Sequence, residues 1–184
     1  MTLSAVAGNP SPFAAPGAAP PPEHVPDPNP VLGLQRATML QWAAWGLANQ
    51  AHFVYTETAE RSQMFNLKPG EIPPGGIHAD CSQFYSSVER YSGGTICSDR
   101  DYTGTLLEKG KLLEPTNVRP ADCVIWGPGT GTHTAMLTEH DEGGWWTVGF
   151  GHSPGAPDRV RLADMTAWME AHGHPGVRFL SFAP

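Results

Sequence analysis

Three side chains in this sequence have the types and spacing for nucleophilic chemistry: Cys81, His133 and His152. Cys81 stands in the stretch Ile77-His78-Ala79-Asp80-Cys81-Ser82-Gln83-Phe84-Tyr85. Asp80 is a favoured N-cap residue, and Phe84, Tyr85 and Val88 recur at helical spacing, so a helix is predicted to open at Cys81. A thiol in that first turn meets free backbone N–H groups and the positive end of the helix dipole, which favour the thiolate. The thiolate is the nucleophilic form, and it needs an imidazole base that a third group orients. His133 opens a predicted strand, Asp141-Glu142-Gly143-Gly144 supplies a hairpin turn, and His152 closes the return strand. The two histidines therefore fall at the open end of one hairpin, where cross-strand or diagonal neighbours touch. The expected set is Cys81 as nucleophile, His133 as base and His152 as orienting partner. Read alone, His133 suits a surface turn equally well, and His152 a loop.

The competing chemistry is metal binding. Cys81, His78, His133, His152, His172 and His174 are zinc-competent types, yet no Cys-x-x-Cys or His-x-x-x-His pair supplies ligand spacing. No metal and no cofactor is expected. His172 and His174 read as exposed residues at a helix C-terminus, where positive charge is favoured. Three cysteines cannot all pair within one chain, which argues against a disulfide framework. Cys123, inside the apolar run Cys123-Val124-Ile125-Trp126, reads as buried and inert.

The elements that must position these groups follow in order. Leu32 to Phe53 is the strongest helix pattern, with Leu34, Met39, Trp42, Trp45, Leu47 and Ala48 on a broad apolar face. Phe53 to Thr56 reads as extended, and 57–64 as a further helical turn or two. Prolines and glycines from Pro69 to Gly76 make a loop that delivers the chain to Asp80. The Cys81 helix is expected to stop near Gly93-Gly94. Thr103 to Lys109 reads as a short helix with Thr103 as its cap, and Leu112 and Leu113 as packed beyond it. From Asp122 the period changes to that of strands: 123–126, 132–139 and 145–151, then a helix over 162–171 with Met165, Trp168 and Met169 on one face, and a strand over 177–182. Helices first and then an antiparallel sheet predict an α+β fold.

A chain of 184 residues suits one compact domain. The formal net charge of -7, with 11 Lys+Arg and no basic stripe, excludes a nucleic-acid partner. No apolar run is long enough to span a membrane. Met1 to Phe13 holds no Lys, no Arg and no apolar core, so no secretory signal is expected there. Nine of the nineteen prolines lie in the first 30 residues. That composition cannot bury enough apolar surface to fold alone, so residues 1–32 are expected to be an extended arm or linker and 33–184 the folded domain. The arm is either a tail or a strap that docks on the domain or on a neighbouring protein.

Taken in order, these segments resemble the NlpC-type cell-wall cysteine peptidases, which have a papain-like α+β fold. Asp80-Cys81-Ser82-x-Phe84 is similar to that family's Asp-Cys-Ser-Gly-Phe signature, and Pro120-Ala121-Asp122-Cys123-Val124-Ile125-Trp126 to its Pro-Gly-Asp-Leu-Val-Phe-Phe strand. Gly131-Thr132-His133-Thr134-Ala135-Met136-Leu137 resembles the strand that carries the base. Val148-Gly149-Phe150-Gly151-His152-Ser153 resembles the segment with the third polar residue, and Phe53-Val54-Tyr55 the tyrosine piece upstream of the cysteine. The resemblance implies N-terminal helices on a small antiparallel sheet, and hydrolysis of peptidoglycan stem peptides, often at a D-γ-glutamyl to diamino-acid bond. It implies catalysis by Cys81, His133 and His152, with Tyr55, Asp80 and Ser82 at the substrate or oxyanion site, where the Cys81 N–H and the Tyr55 hydroxyl would hold the charge. Gln83 replaces the signature glycine, Thr56-Glu57 replaces a Gly-Gly pair, Ala121 replaces the glycine of Pro-Gly-Asp, and the segment from Tyr55 to Cys81 is long. Such divergence resembles phage lysins or tail-associated hydrolases, which would act after release from a host cytoplasm or from a virion, with tail or virion proteins as partners of the arm. A virion protein that keeps the fold with little turnover, and a related amidase or acyltransferase, are the alternative expectations.

Overall fold

One helix, buried on all sides, sets the architecture. In the computed structural model, which describes residues 30–150 and 155–182, α3 (Cys81–Tyr91) has every residue from Cys81 to Glu89 buried. Asp80 caps it by accepting the Gln83 N–H at 2.7 Å, which satisfies one of the free donors of the first turn. Ser86 and Ser87, mid-helix and dry, return their hydroxyls to the carbonyls of Ser82 (2.8 Å) and Gln83 (2.6 Å), so neither is left without a partner.

Before it run α1 (Pro30–Ala48), β1 (Phe53–Tyr55), the short α2 (Gln63–Asn66) and β2 (Ile77–Ala79). A proline at the first position of α1 loses no hydrogen bond. The helix ends at Ala48, five residues short of Phe53, where Asn49 turns its amide back onto the Trp45 carbonyl at 2.8 Å. Its buried face is narrower than the spacing predicted: Met39 and Ala43 are covered, while Leu34 is 70% exposed. Gly46 lets α1 approach α3, since a Cβ there would meet the Phe84 ring at 2.8 Å. The expected loop before Asp80 ends in β2, which pairs in parallel with β1 and fixes Tyr55 opposite Ala79.

After α3 come α4 (Thr103–Lys109), β3 (Lys111–Leu113), β4 (Cys123–Trp126), β5 (His133–Asp141), β6 (Gly144–Phe150), β7 (Pro157–Arg161), α5 (Leu162–Ala171) and β8 (Val177–Ser181). Their six-stranded antiparallel sheet has the order β3-β8-β4-β5-β6-β7. The two short outer strands, β3 and β7, lack the alternation that marks a strand in sequence. Leu112, expected to pack beyond α4, is 65% exposed on edge strand β3. Tyr102 rather than Thr103 caps α4, through reciprocal hydrogen bonds with Thr105.

The sheet separates two apolar layers, as the strand period of two requires. On one face α3 packs Phe84, Tyr85 and Val88 against Cys123, Ile125, Met136, Val148 and Phe150. On the other, α5 packs Met165 and Met169 against Val124, Trp126, Ala135 and Leu137. Trp168, expected on that buried face, is 41% exposed and instead stacks on His172. Among the described residues no helix is long and apolar enough to cross a membrane.

Candidate active site

The start of α3 is braced from below by charge. Asp80 is buried, with Oδ1 accepting from Gln83 N–H and from the Ser82 hydroxyl, both at 2.7 Å. Its other oxygen takes Arg61 Nη1 at 2.7 Å, and the same nitrogen donates to the Asp101 carbonyl at 3.0 Å. Gln83, fully buried, donates from Nε2 to that carbonyl at 2.7 Å. Gln83 thus ties the Cys81 helix to the loop before α4. Asp101 is in turn clamped by Lys109 Nζ at 2.7 Å. Asp80 and Ser82, expected to line a substrate site, are turned inward here and support the helix start.

Cys81 itself is 6% exposed. Its sulfur receives backbone N–H groups from Ser82 and from Thr134 at the start of β5, and both favour the thiolate. They are outweighed. Burial first, and then the neighbouring Asp80 carboxylate, push the thiol up to about 12 from its ordinary 9.0. The expectation that the helix dipole would lower this value is corrected, because desolvation of a sulfur anion with a carboxylate beside it exceeds the effect of a helix terminus.

The Thr134 contact brings the Cys81 helix to the strand that begins with His133. Thr134 points its side chain to the α3 side, 3.1 Å from Cys123 Sγ. By alternation His133 lies with Trp126, its cross-strand partner, and their rings stack at 5.6 Å between centroids and 27° between planes. Trp126 is fully buried and fixed through Nε1 to Thr166 Oγ1 at 2.9 Å, so the imidazole rests on an immobile ring. Main-chain N–H groups of Ser82 and Thr134 thus hydrogen-bond the thiol. His152 lies outside the described residues, and so does its expected pairing with His133.

Tyr55 stands at the outer side of the cysteine. It is 38% exposed, and its ring packs on Phe150 at 5.3 Å. Its hydroxyl, expected to help hold an oxyanion, donates to Glu57 Oε1 at 2.8 Å. Burial holds the phenol protonated well above its ordinary range, and the charges of Cys81 and Glu57 add to that. Arg61, Glu57, Thr134 and Trp126 are site residues that no motif in the sequence announces; only the strand alternation around His133 hints at Thr134. His172 is exposed at the end of α5, as expected, and His174 is half-buried. Among the described residues, no group of three or more His, Cys, Asp or Glu is arranged to hold a metal ion.

The fold defines a class: it is the papain-like α+β fold of the NlpC/P60 proteins. The peptidoglycan hydrolase RipB of Mycobacterium tuberculosis superposes with a TM-score of 0.50 at 16% identity, over 82% of this chain and 67% of that one. RipD of the same organism, a non-catalytic NlpC/p60 domain protein, gives 0.48 at 12% identity over 70% of this chain and 88% of its own. An NlpC/P60 family protein from Bacillus cereus gives 0.45 at 20% identity over 59% of this chain, which spans only 33% of that protein. No protein-family model and no curated protein matches the sequence.

Proposed function

We propose that this protein is a cell-wall cysteine peptidase that hydrolyses amide bonds of peptidoglycan stem peptides, with Cys81 as nucleophile, His133 as base and His152 as its orienting partner. One observation carries the reading. Cys81, at the start of α3, has its sulfur against the first residues of β5, with Ser82 and Thr134 N–H groups on it, and Thr134 directly follows His133 in that strand. The thiol is protonated at rest, so its proton must pass to the His133 imidazole as Sγ attacks the amide carbonyl. Collapse of the tetrahedral adduct breaks the C–N bond, and the imidazolium returns the proton to the leaving amine. Water, deprotonated by His133, then cleaves the thioester and releases the acid. Main-chain N–H groups at the α3 start are the donors nearest to where the oxyanion forms.

The finer parts rest on the sequence resemblance: cleavage at a D-γ-glutamyl to diamino-acid bond, delivery as a phage lysin or tail-associated hydrolase, and residues 1–32 as an arm for virion or tail proteins beside a catalytic domain over 33–184. A second reading, a wall-binding or virion protein of the same fold with little turnover, is favoured by the burial of Cys81 and the raised pKa of its thiol. Digestion of purified peptidoglycan, with identification of the new termini, separates the two. Wild type should release peptides with new amino and carboxyl termini, and Cys81→Ala should release none while keeping its circular dichroism. Equal release by both proteins removes Cys81 from the mechanism; binding without release by either supports the second reading.

A further inference from the structure

We propose that Arg61 is a positioning residue for the nucleophile: by pairing with the Asp80 carboxylate it keeps an uncompensated negative charge away from Cys81 and so sets the reactivity of the thiol. The inference rests on Cys81 being the nucleophile. Its basis is geometric. Arg61 Nη1 is 2.7 Å from Asp80 Oδ2, with the Arg61 side chain 22% exposed and that of Asp80 10%. The same guanidinium reaches the Asp101 carbonyl at 3.0 Å, the Ser82 hydroxyl at 3.4 Å and, through Nη2, the Arg100 carbonyl at 3.3 Å. These contacts fix its charge at the foot of α3. Asp80 adjoins Cys81 in sequence and is the strongest charged influence on its thiol.

The other charged influence on the sulfur, Glu57, is anionic as well. Tyr55 and the Glu57 carboxylate face it from β1 and the turn after it, buried Cys123 from β4, and Thr134 from β5, with His133 opening that strand. Asp101 beneath is already matched by Lys109. Arg61 is therefore the cation that answers Asp80. In sequence it lies in the long segment between Tyr55 and Cys81, a place where no signature residue is expected.

The test is the rate of Cys81 carboxamidomethylation by iodoacetamide as a function of pH, read by peptide mass spectrometry on folded protein. It needs no turnover, so its failure and the failure of the peptidase reading are distinguishable. Arg61→Gln should slow alkylation on the order of three- to tenfold below the thiol pKa and move the midpoint up by as much as about one pH unit. Arg61→Lys, which keeps the charge, should stay within about twofold of wild type. Asp80→Asn, which keeps an N-cap residue, should abolish the slowing in the Arg61→Gln background. Wild-type rates in Arg61→Gln, equal damage in Arg61→Lys, or no rescue by Asp80→Asn would overturn the proposal. Should Arg61→Gln fail to fold, Asp80→Asn alone decides: faster alkylation supports the electrostatic role, and an unchanged or slower rate sinks it.

Discussion

Replacing Phe150 by Ala tests whether its aromatic cluster holds β6 against β1 and α3. Phe150 is 3% exposed, and its ring centroid lies 5.9 Å from that of Phe53, 6.0 Å from Phe84 and 5.3 Å from Tyr55. It therefore joins β6 to β1 and to the helix of Cys81. Truncating a buried phenylalanine costs about 3–5 kcal/mol through lost transfer energy and the cavity left behind. The edge-on ring pairs push this site toward the upper end of that range, since each is worth about 0.5–1.5 kcal/mol beyond area. Against a total stability of about 5–15 kcal/mol, that is a third or more of the whole. With an urea slope of about 2 kcal/mol/M, the unfolding midpoint should fall by roughly 2 M with the slope unchanged. Phe150→Leu, which fills most of the volume, should cost under about 1.5 kcal/mol. A loss below about 1 kcal/mol in Phe150→Ala would refute the reasoning, because it would mean that the cluster carries no packing energy.

Two further outcomes are expected. A Cβ on Gly94 would overlap the Glu89 carboxylate, so Gly94→Ala must displace it from the Ile96 and Cys97 N–H groups that it accepts at 3.3 and 3.4 Å. Thermal unfolding should report a loss of about 1–3 kcal/mol, the cost of unsatisfied buried groups, and an unchanged melting temperature would contradict it. Burial raises the Glu89 carboxyl above its ordinary 4.5, so the folded state holds that proton more tightly than the unfolded chain does. The stability Glu89 contributes is thus present below its unfolded pKa and declines as pH rises toward its folded value. In urea titrations at several pH values, Glu89→Gln should flatten this decline, and a steeper decline in the variant would reverse the assignment.

The two apolar layers emerge only from the packing, but strand β4 between them was legible as a short continuous apolar run, as burial on both faces requires, and β5 as an alternating one. β3 and β7 were not, since edge strands are stabilised by the ladder they join rather than by their own pattern. Leu34, Leu112 and Trp168 fit apolar faces in sequence yet remain exposed, because spacing marks a face without saying whether a neighbour arrives to cover it.

The site divides along the same line. Local sequence determined that Asp80 caps a helix and that Cys81 begins it, since capping depends only on residues within one turn. It also determined the hairpin that starts at His133, which a short turn closes. Tertiary structure alone decided what surrounds the sulfur. Packing of α3 against β5 put the Thr134 N–H on the thiol, buried it, and left the Asp80 charge beside it, so the thiol pKa rises where the helix start alone predicted a fall. Packing also brought Arg61 to Asp80 and laid His133 on Trp126. Desolvation and charge pairing depend on groups distant along the chain, and for that reason the place of Cys81 at a helix start could be read from sequence while its electrostatics could not.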